Sequence, residues 1–156
     1  MRNWFNILTS ISLCYLKFGS YNVDYYHNIL PGYTFYFDLP NGTNIGGIGM
    51  YIANTFIHNE QVQYKIESND LVKTENIWIE VLKNKTKYII GGIYRHPDTF
   101  VVEFHKAIEV SLVKISCQQC PCLIAGDINI DLAKCGANKQ TASTLILSWY
   151  IIFCQQ

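Results

Sequence analysis

The chain has 156 residues, 49% hydrophobic and 15% charged, with twelve Lys plus Arg balanced by twelve Asp plus Glu. This length suits one domain with a sizeable core, and the apolar content excludes a disordered polymer. A net charge of zero excludes a global basic field, so any contact with a polyanion must come from local patches.

The first twenty residues, MRNWFNILTSISLCYLKFGS, are apolar with Arg2 near the start. Asn6, Thr9, Ser10 and Ser12 interrupt the run and no small-x-small cleavage site follows Leu16, so a buried strand or helix is expected rather than a signal peptide. No stretch approaches the roughly twenty apolar residues of a membrane span. Tyr33-Thr-Phe-Tyr-Phe37 is aromatic and β-prone, Leu39-Pro-Asn-Gly42 is a turn, and Gly47-Ile-Gly-Met-Tyr-Ile52 reads as the returning strand. Gly46, Gly47 and Gly49 do not form a phosphate loop, because no Lys-Ser/Thr follows; close strand packing or a bulge explains them. Asn41-Gly-Thr43 and Asn84-Lys-Thr86 match glycosylation acceptors, which matter only in a secreted chain.

Ile77-Trp-Ile-Glu-Val-Leu82 alternates in character, Asn84-Lys85 makes a turn, and Lys87 to Tyr94 is the nearly continuous apolar run of a strand covered on both faces. His96-Pro97-Asp98-Thr99 ends that strand. Asp98 or Thr99 is expected to cap a helix running to about Ser116, with Val101, Phe104, Ile108, Leu112 and Ile115 on one stripe. A polar stretch with Pro121 leads into a strand from Cys122 to Ile128, and an apolar tail from Leu145 to Phe153 fits either a helix or a strand. A helix between strands that can share a sheet predicts a mixed α/β domain.

Six cysteines, Cys14, Cys117, Cys120, Cys122, Cys135 and Cys154, include one CxxC pair at ligand spacing. No second CxxC or HxxxH pair completes a four-ligand zinc site, so free thiols are expected. The same cysteines and the apolar N-terminus support a competing reading, a small secreted disulfide-linked interaction protein.

Two polar clusters stand at strand ends. In LIAGDINID (123–131) a strand stops at Gly126, after which Asp127, Asn129 and Asp131 would share one face of an extended chain. In Tyr94-Arg95-His96-Pro97 another strand ends. If the helix is a crossover between these strands, both clusters emerge at the same, C-terminal edge of the sheet, where ligands bind in α/β architectures.

The blocks GGIGMYIANTF (46–56), ENIWIEVL (75–82), IIGGIYRHP (89–97) and CLIAGDINIDL (122–132) resemble, in order and spacing, the endonuclease/exonuclease/phosphatase family. They look most like the endonuclease domains of non-LTR retrotransposons and their reverse-transcriptase-linked relatives, and the resemblance is strongest over residues 28–135. It implies an α/β fold of four layers, two packed β-sheets between helices, of which 1–156 would be a single partial domain. It also implies cleavage of phosphodiester or phosphomonoester bonds with a divalent metal, usually Mg²⁺, a DNA partner, no membrane, and a nuclear or cytoplasmic setting. By the same resemblance, Asp127 orients or deprotonates the attacking water, Asn129 holds a phosphate oxygen or the nucleophile, and Tyr94 sits by the phosphate. Arg95 and His96 are candidates for phosphate contacts at the rim, or else solvated turn residues.

The departures are as informative. Ser10 to Phe18, where the family carries a metal-binding Glu, contains no carboxylate, and no His follows His105, so the family's downstream Ser-Asp-His segment is missing. Asp127, Asp131 and Glu75 remain as carboxylates, yet they do not complete an octahedral oxygen site for Mg²⁺. Replacement of the lost acid/base by His96 or His105 requires a geometric coincidence. The expectation is therefore a truncated or degenerate, catalytically incomplete endonuclease domain; an active Mg²⁺-dependent endonuclease is the alternative.

Overall fold

The structure, a computed structural model, describes residues 11–15, 23–40 and 47–129, with side chains for 25–40 and 47–129. Among the described residues seven strands lie in two sheets. The first has the order β1-β3-β2, all antiparallel, from β1 (Ile11–Tyr15), β2 (Tyr33–Asp38) and β3 (Ile48–Ala53). The second has the order β4-β5-β6-β7, from β4 (Ile57–Glu60), β5 (Thr74–Lys83), β6 (Thr86–Arg95) and β7 (Cys122–Asp127). Its first three strands are antiparallel, whereas β7 runs parallel to β6. The parallel pair needs a crossover, which α2 (Val101–Ser116) supplies. A one-turn helix, α1 (Val23–His27), precedes β2.

Alternation along β5 decides how the layers stack. Ile77, Ile79 and Val81 join Tyr88 and Ile90 of β6 and Leu123 of β7 against Ile48, Met50 and Ile52 of β3, so this face meets the other sheet. Asn76 and Trp78 point the opposite way. There Trp78 packs with Ile89, Ile93 and Cys122 under Phe104, Ile108 and Ile115 of α2, and Tyr64 covers its ring edge-on at 6.4 Å. On the outer face of the first sheet, the rings of Phe35 and Tyr51 lie 4.5 Å apart, tilted by 32°, and pack with Tyr26 and Leu30 of the α1 region. The order helix, sheet, sheet, helix is the expected four-layer sandwich. Each fully buried Ile or Phe stabilises it by about 1.5–3 kcal/mol.

Two local features fix the register. Asn84 and Lys85 both have positive φ, 51° and 65°, the conformation that a two-residue hairpin turn demands. Gly91 faces Trp78 across the β5–β6 ladder, and a Cβ there would lie 2.5 Å from the indole. Trp78 thus occupies the space that a side chain at 91 would need.

The helix does not start as expected. Phe100 is the N-cap residue and caps with no side chain. Thr99 and Asp98 are used elsewhere: Thr99 Oγ1 donates to Lys73 O (2.8 Å) and accepts from Lys73 N (3.0 Å), while Lys73 Nζ donates to Asp98 at 2.5 Å. Both residues tie the lead-in of β5 to the exit of β6. Of the predicted stripe, Phe104, Ile108 and Ile115 are buried, and Leu112 packs at its margin. Sequence reading did not anticipate β4 or α1.

Candidate functional site

The site is built at one end of the second sheet. Glu75 is the register partner of Tyr94, and Tyr94 is the register partner of Asp127, so three neighbouring strands present these residues in a row. Adjacent strands are about 4.8 Å apart, which spaces the three backbones over roughly 10 Å. Glu75 shares the β5 face of Ile77 and Ile79, and Tyr94 packs at the margin of the same inter-sheet core. The crossover arrangement thus brings the two polar clusters to one edge.

Beyond Asp127 the strand stops, and the expected alternation does not continue to Asn129. Asp127 accepts a hydrogen bond from the Asn129 amide at 3.0 Å, and Asn129 adopts φ 47°, a left-handed turn that Asn tolerates. Asp127 and Asn129 therefore do not lie on one strand face; Asp131 lies outside the described residues. The Asn129 side chain donates to Arg95 O at 2.7 Å, and Asp127 is exposed. Gly126 makes the bend possible at φ 149°, because a Cβ there would fall 1.8 Å from Ile93 O.

Arg95 departs most from its expected place at the rim. It is 2% exposed, and its Nε donates to Ile128 O at 2.6 Å while its two terminal nitrogens donate to Thr99 O and Asn129 O. A guanidinium has five N–H donors in a fixed fork, which suits it to gather carbonyls from two loops at once. Arg95 thus clamps the turn after β7 to the start of α2, with no donor face left at the surface for a phosphate. Burial pulls its pKa below the usual arginine value, with the charge of Asp127 acting in opposition.

His96 stands where the β6 edge opens. Its Nε2 lies 2.9 and 3.1 Å from the two carboxylate oxygens of Glu75, and its ring sits 5.0 Å from that of Tyr94. The Glu75 side chain is 3% exposed against 26% for His96. Burial raises the pKa of Glu75 above the ordinary carboxylate value; its bond to His96 opposes the shift, and the nearby charge of Asp38 reinforces it. Asp38 is itself held by Lys65 Nζ at 2.6 Å and by the Asn76 amide at 2.9 Å. In front of the Glu75–His96 pair lies a cleft of about 410 Å³, lined also by Pro40, Ser68, Asn69, Asp70, Lys73 and Asp98. Tyr94 and Asp127 are not among its lining residues; Tyr94 meets it through the ring of His96.

Sequence reading did not anticipate the burial of Glu75 or its pairing with His96. One signal was present: Glu75 stands two and four residues before Ile77 and Ile79, on the face that a period of two buries. Among the described residues no group of three or more His, Cys, Asp or Glu side chains is placed to hold a metal ion. The described residues therefore do not fit the Mg²⁺ that the resemblance implies. Cys117 is an exposed thiol, whereas Cys120 and Cys122 are buried. No helix among the described residues is long and apolar enough to cross a membrane.

No protein-family model and no curated protein matches this sequence. Solved structures do resemble it. The endonuclease domain of TRAS1, a telomere-specific non-LTR retrotransposon, superimposes with a TM-score of 0.56 at 10% identity, over 87% of this chain and 57% of that one. D. rerio TDP2 humanized by 14 mutations gives 0.53 at 16% identity, over 86% and 58%, and the human Nocturnin catalytic domain with bound sulfate gives 0.51 at 13%, over 94% and 60%. The chain spans under two thirds of the length of each of these structures. At such identities the likeness is one of architecture, and with the two stacked sheets and their flanking helices it gives the conclusion that this chain has the endonuclease/exonuclease/phosphatase-type α/β fold.

Proposed function

We propose that the chain is a fragment of a metal-dependent phosphodiesterase domain of the retrotransposon endonuclease type, and that it is catalytically incomplete. The observation that carries this reading is the register match of Tyr94 with Asp127 at one sheet end, where the sequence blocks that resemble the family converge. In this reading Tyr94 and Asp127 are the groups that face a phosphodiester of DNA, with Asn129 beside them in the turn that Arg95 holds. Support for incompleteness comes from the absence of a carboxylate in Ser10 to Phe18 and of any His after His105. A positioned acid/base group is typically worth about 10²–10⁴-fold, and a catalytic metal contributes several kcal/mol more, so loss of both leaves almost nothing measurable.

The test is nicking of supercoiled plasmid by the purified chain with Mg²⁺ or Mn²⁺. The expected result is no cleavage above a no-protein control, with at most salt-sensitive DNA binding. Metal-dependent nicking that disappears in Asp127→Ala would overturn incompleteness and establish an active endonuclease.

A further inference from the structure

The Glu75–His96 pair is not used by the reading above. The geometric coincidence needed to replace a missing acid/base is nevertheless present in part: a buried carboxylate lies against a half-buried imidazole at the wall of a cleft. Among the cleft-lining residues His96 is the one imidazole. With Nε2 committed to Glu75, the ring keeps its second nitrogen, Nδ1, for another partner. A carboxylate accepting from one ring N–H fixes the tautomer and orientation of the ring, and it stabilises the imidazolium that forms when the other nitrogen takes a proton. The tilted ring of Tyr94 packs against the imidazole, and the His96 amide, which donates to Lys73 O at 3.0 Å, fixes the backbone that carries it.

We propose that His96 is a general base at this cleft, its Nδ1 taking a proton from a water that attacks a phosphoryl ester, with Glu75 as the residue that positions it. The proposal rests on the reading that this sheet end receives phosphodiesters, and it leaves the chain incomplete as a metal-dependent endonuclease, because a general base supplies neither the metal nor the acid that the alkoxide leaving group of DNA needs. In the step, the water oxygen forms a bond to phosphorus and its proton passes to Nδ1. The ester P–O bond breaks with its electron pair on the leaving group, and the imidazolium then returns its proton to solvent. The charged groups around the ring are Glu75 behind it and Lys73, Asp98 and Asp70 in the cleft wall. Lys73 is paired with Asp98, so the wall has no free excess of positive charge. An anionic ester is therefore held weakly, with KM at or above about 1 mM, the upper end of the usual range.

The probe is bis(p-nitrophenyl) phosphate, whose leaving group needs no proton, hydrolysed by the full chain in the presence of EDTA. The expected result is release of p-nitrophenolate about 10²-fold faster than with His96→Ala. Added imidazole should restore part of the variant's rate, and Glu75→Gln should lower kcat with KM unchanged. Nitrogen NMR of the wild-type chain supplies a readout that does not depend on a variant folding. It should show His96 with its neutral-form proton on Nε2. Equal rates for wild type and His96→Ala, or a proton on Nδ1, would overturn the proposal. Plasmid nicking abolished by Asp127→Ala overturns only the incompleteness reading, so the two failures are distinguishable.

Discussion

Replacing Arg95 by Ala removes a guanidinium that is 2% exposed and donates to the carbonyls of Ile128, Thr99 and Asn129. A hydrogen bond to a charged group is worth about 1.5–3 kcal/mol net, and a buried acceptor left unsatisfied costs about 1–3 kcal/mol. The three bonds share one side chain and do not add, and removing the charge recovers several kcal/mol of its desolvation cost. A loss of about 3–5 kcal/mol results, as for breaking a buried ionic contact. With a urea slope of about 2 kcal/mol/M, the unfolding midpoint should fall by roughly 2 M. Arg95→Lys keeps the charge without the fork and should recover less than half. Because two of the three acceptors lie in the turn after β7, amide exchange at Asn129 should accelerate more than exchange in β5. An Arg95→Ala unfolding free energy within about 0.5 kcal/mol of wild type, with DNA affinity sharply reduced, would refute the clamp and return Arg95 to a phosphate contact.

Gly126→Ala should be strongly destabilising, by about 3 kcal/mol or more, since its Cβ would meet Ile93 O at 1.8 Å; a thermal midpoint within 2 °C of wild type would contradict the bend. Gly91→Ala should cost about 1–3 kcal/mol through its clash with Trp78, and much of that loss should vanish when Trp78→Leu is the background, a coupling that a double-mutant cycle measures. Glu75→Gln should change the pH dependence of stability. A carboxyl whose pKa is raised on folding stabilises the native state at low pH, and that contribution is lost as pH rises from the ordinary value of 4.5 through the raised one. The stability of Glu75→Gln relative to wild type should therefore climb across that window in urea titrations, and a difference independent of pH would count against the buried carboxyl.

Local physics made much of this fold legible in the sequence. The positive-φ pair Asn84-Lys85, the apolar run of β6 and the stripe on α2 are each set by neighbours a few residues away, and these elements lie where periodicity and turn chemistry place them. The helix cap, β4 and the role of Arg95 were not legible in this way. Whether Thr99 caps a helix or bonds Lys73, 26 residues away, depends on a long-range competitor that no local pattern reveals. Whether the arginine of a strand-end motif faces a ligand or the core depends on which carbonyls the fold brings within reach of its fork, and here these lie up to 34 residues along the chain. Glu75 shows the same division. Its spacing from Ile77 and Ile79 carried a signal for the buried face that sequence reading did not take up, but only the antiparallel pairing of β5 with β6 set it against His96, 21 residues away, where the imidazole is its hydrogen-bond partner. Alternation along a strand is a property of the chain itself, whereas the partner of a buried charge is chosen by the packing of the whole molecule.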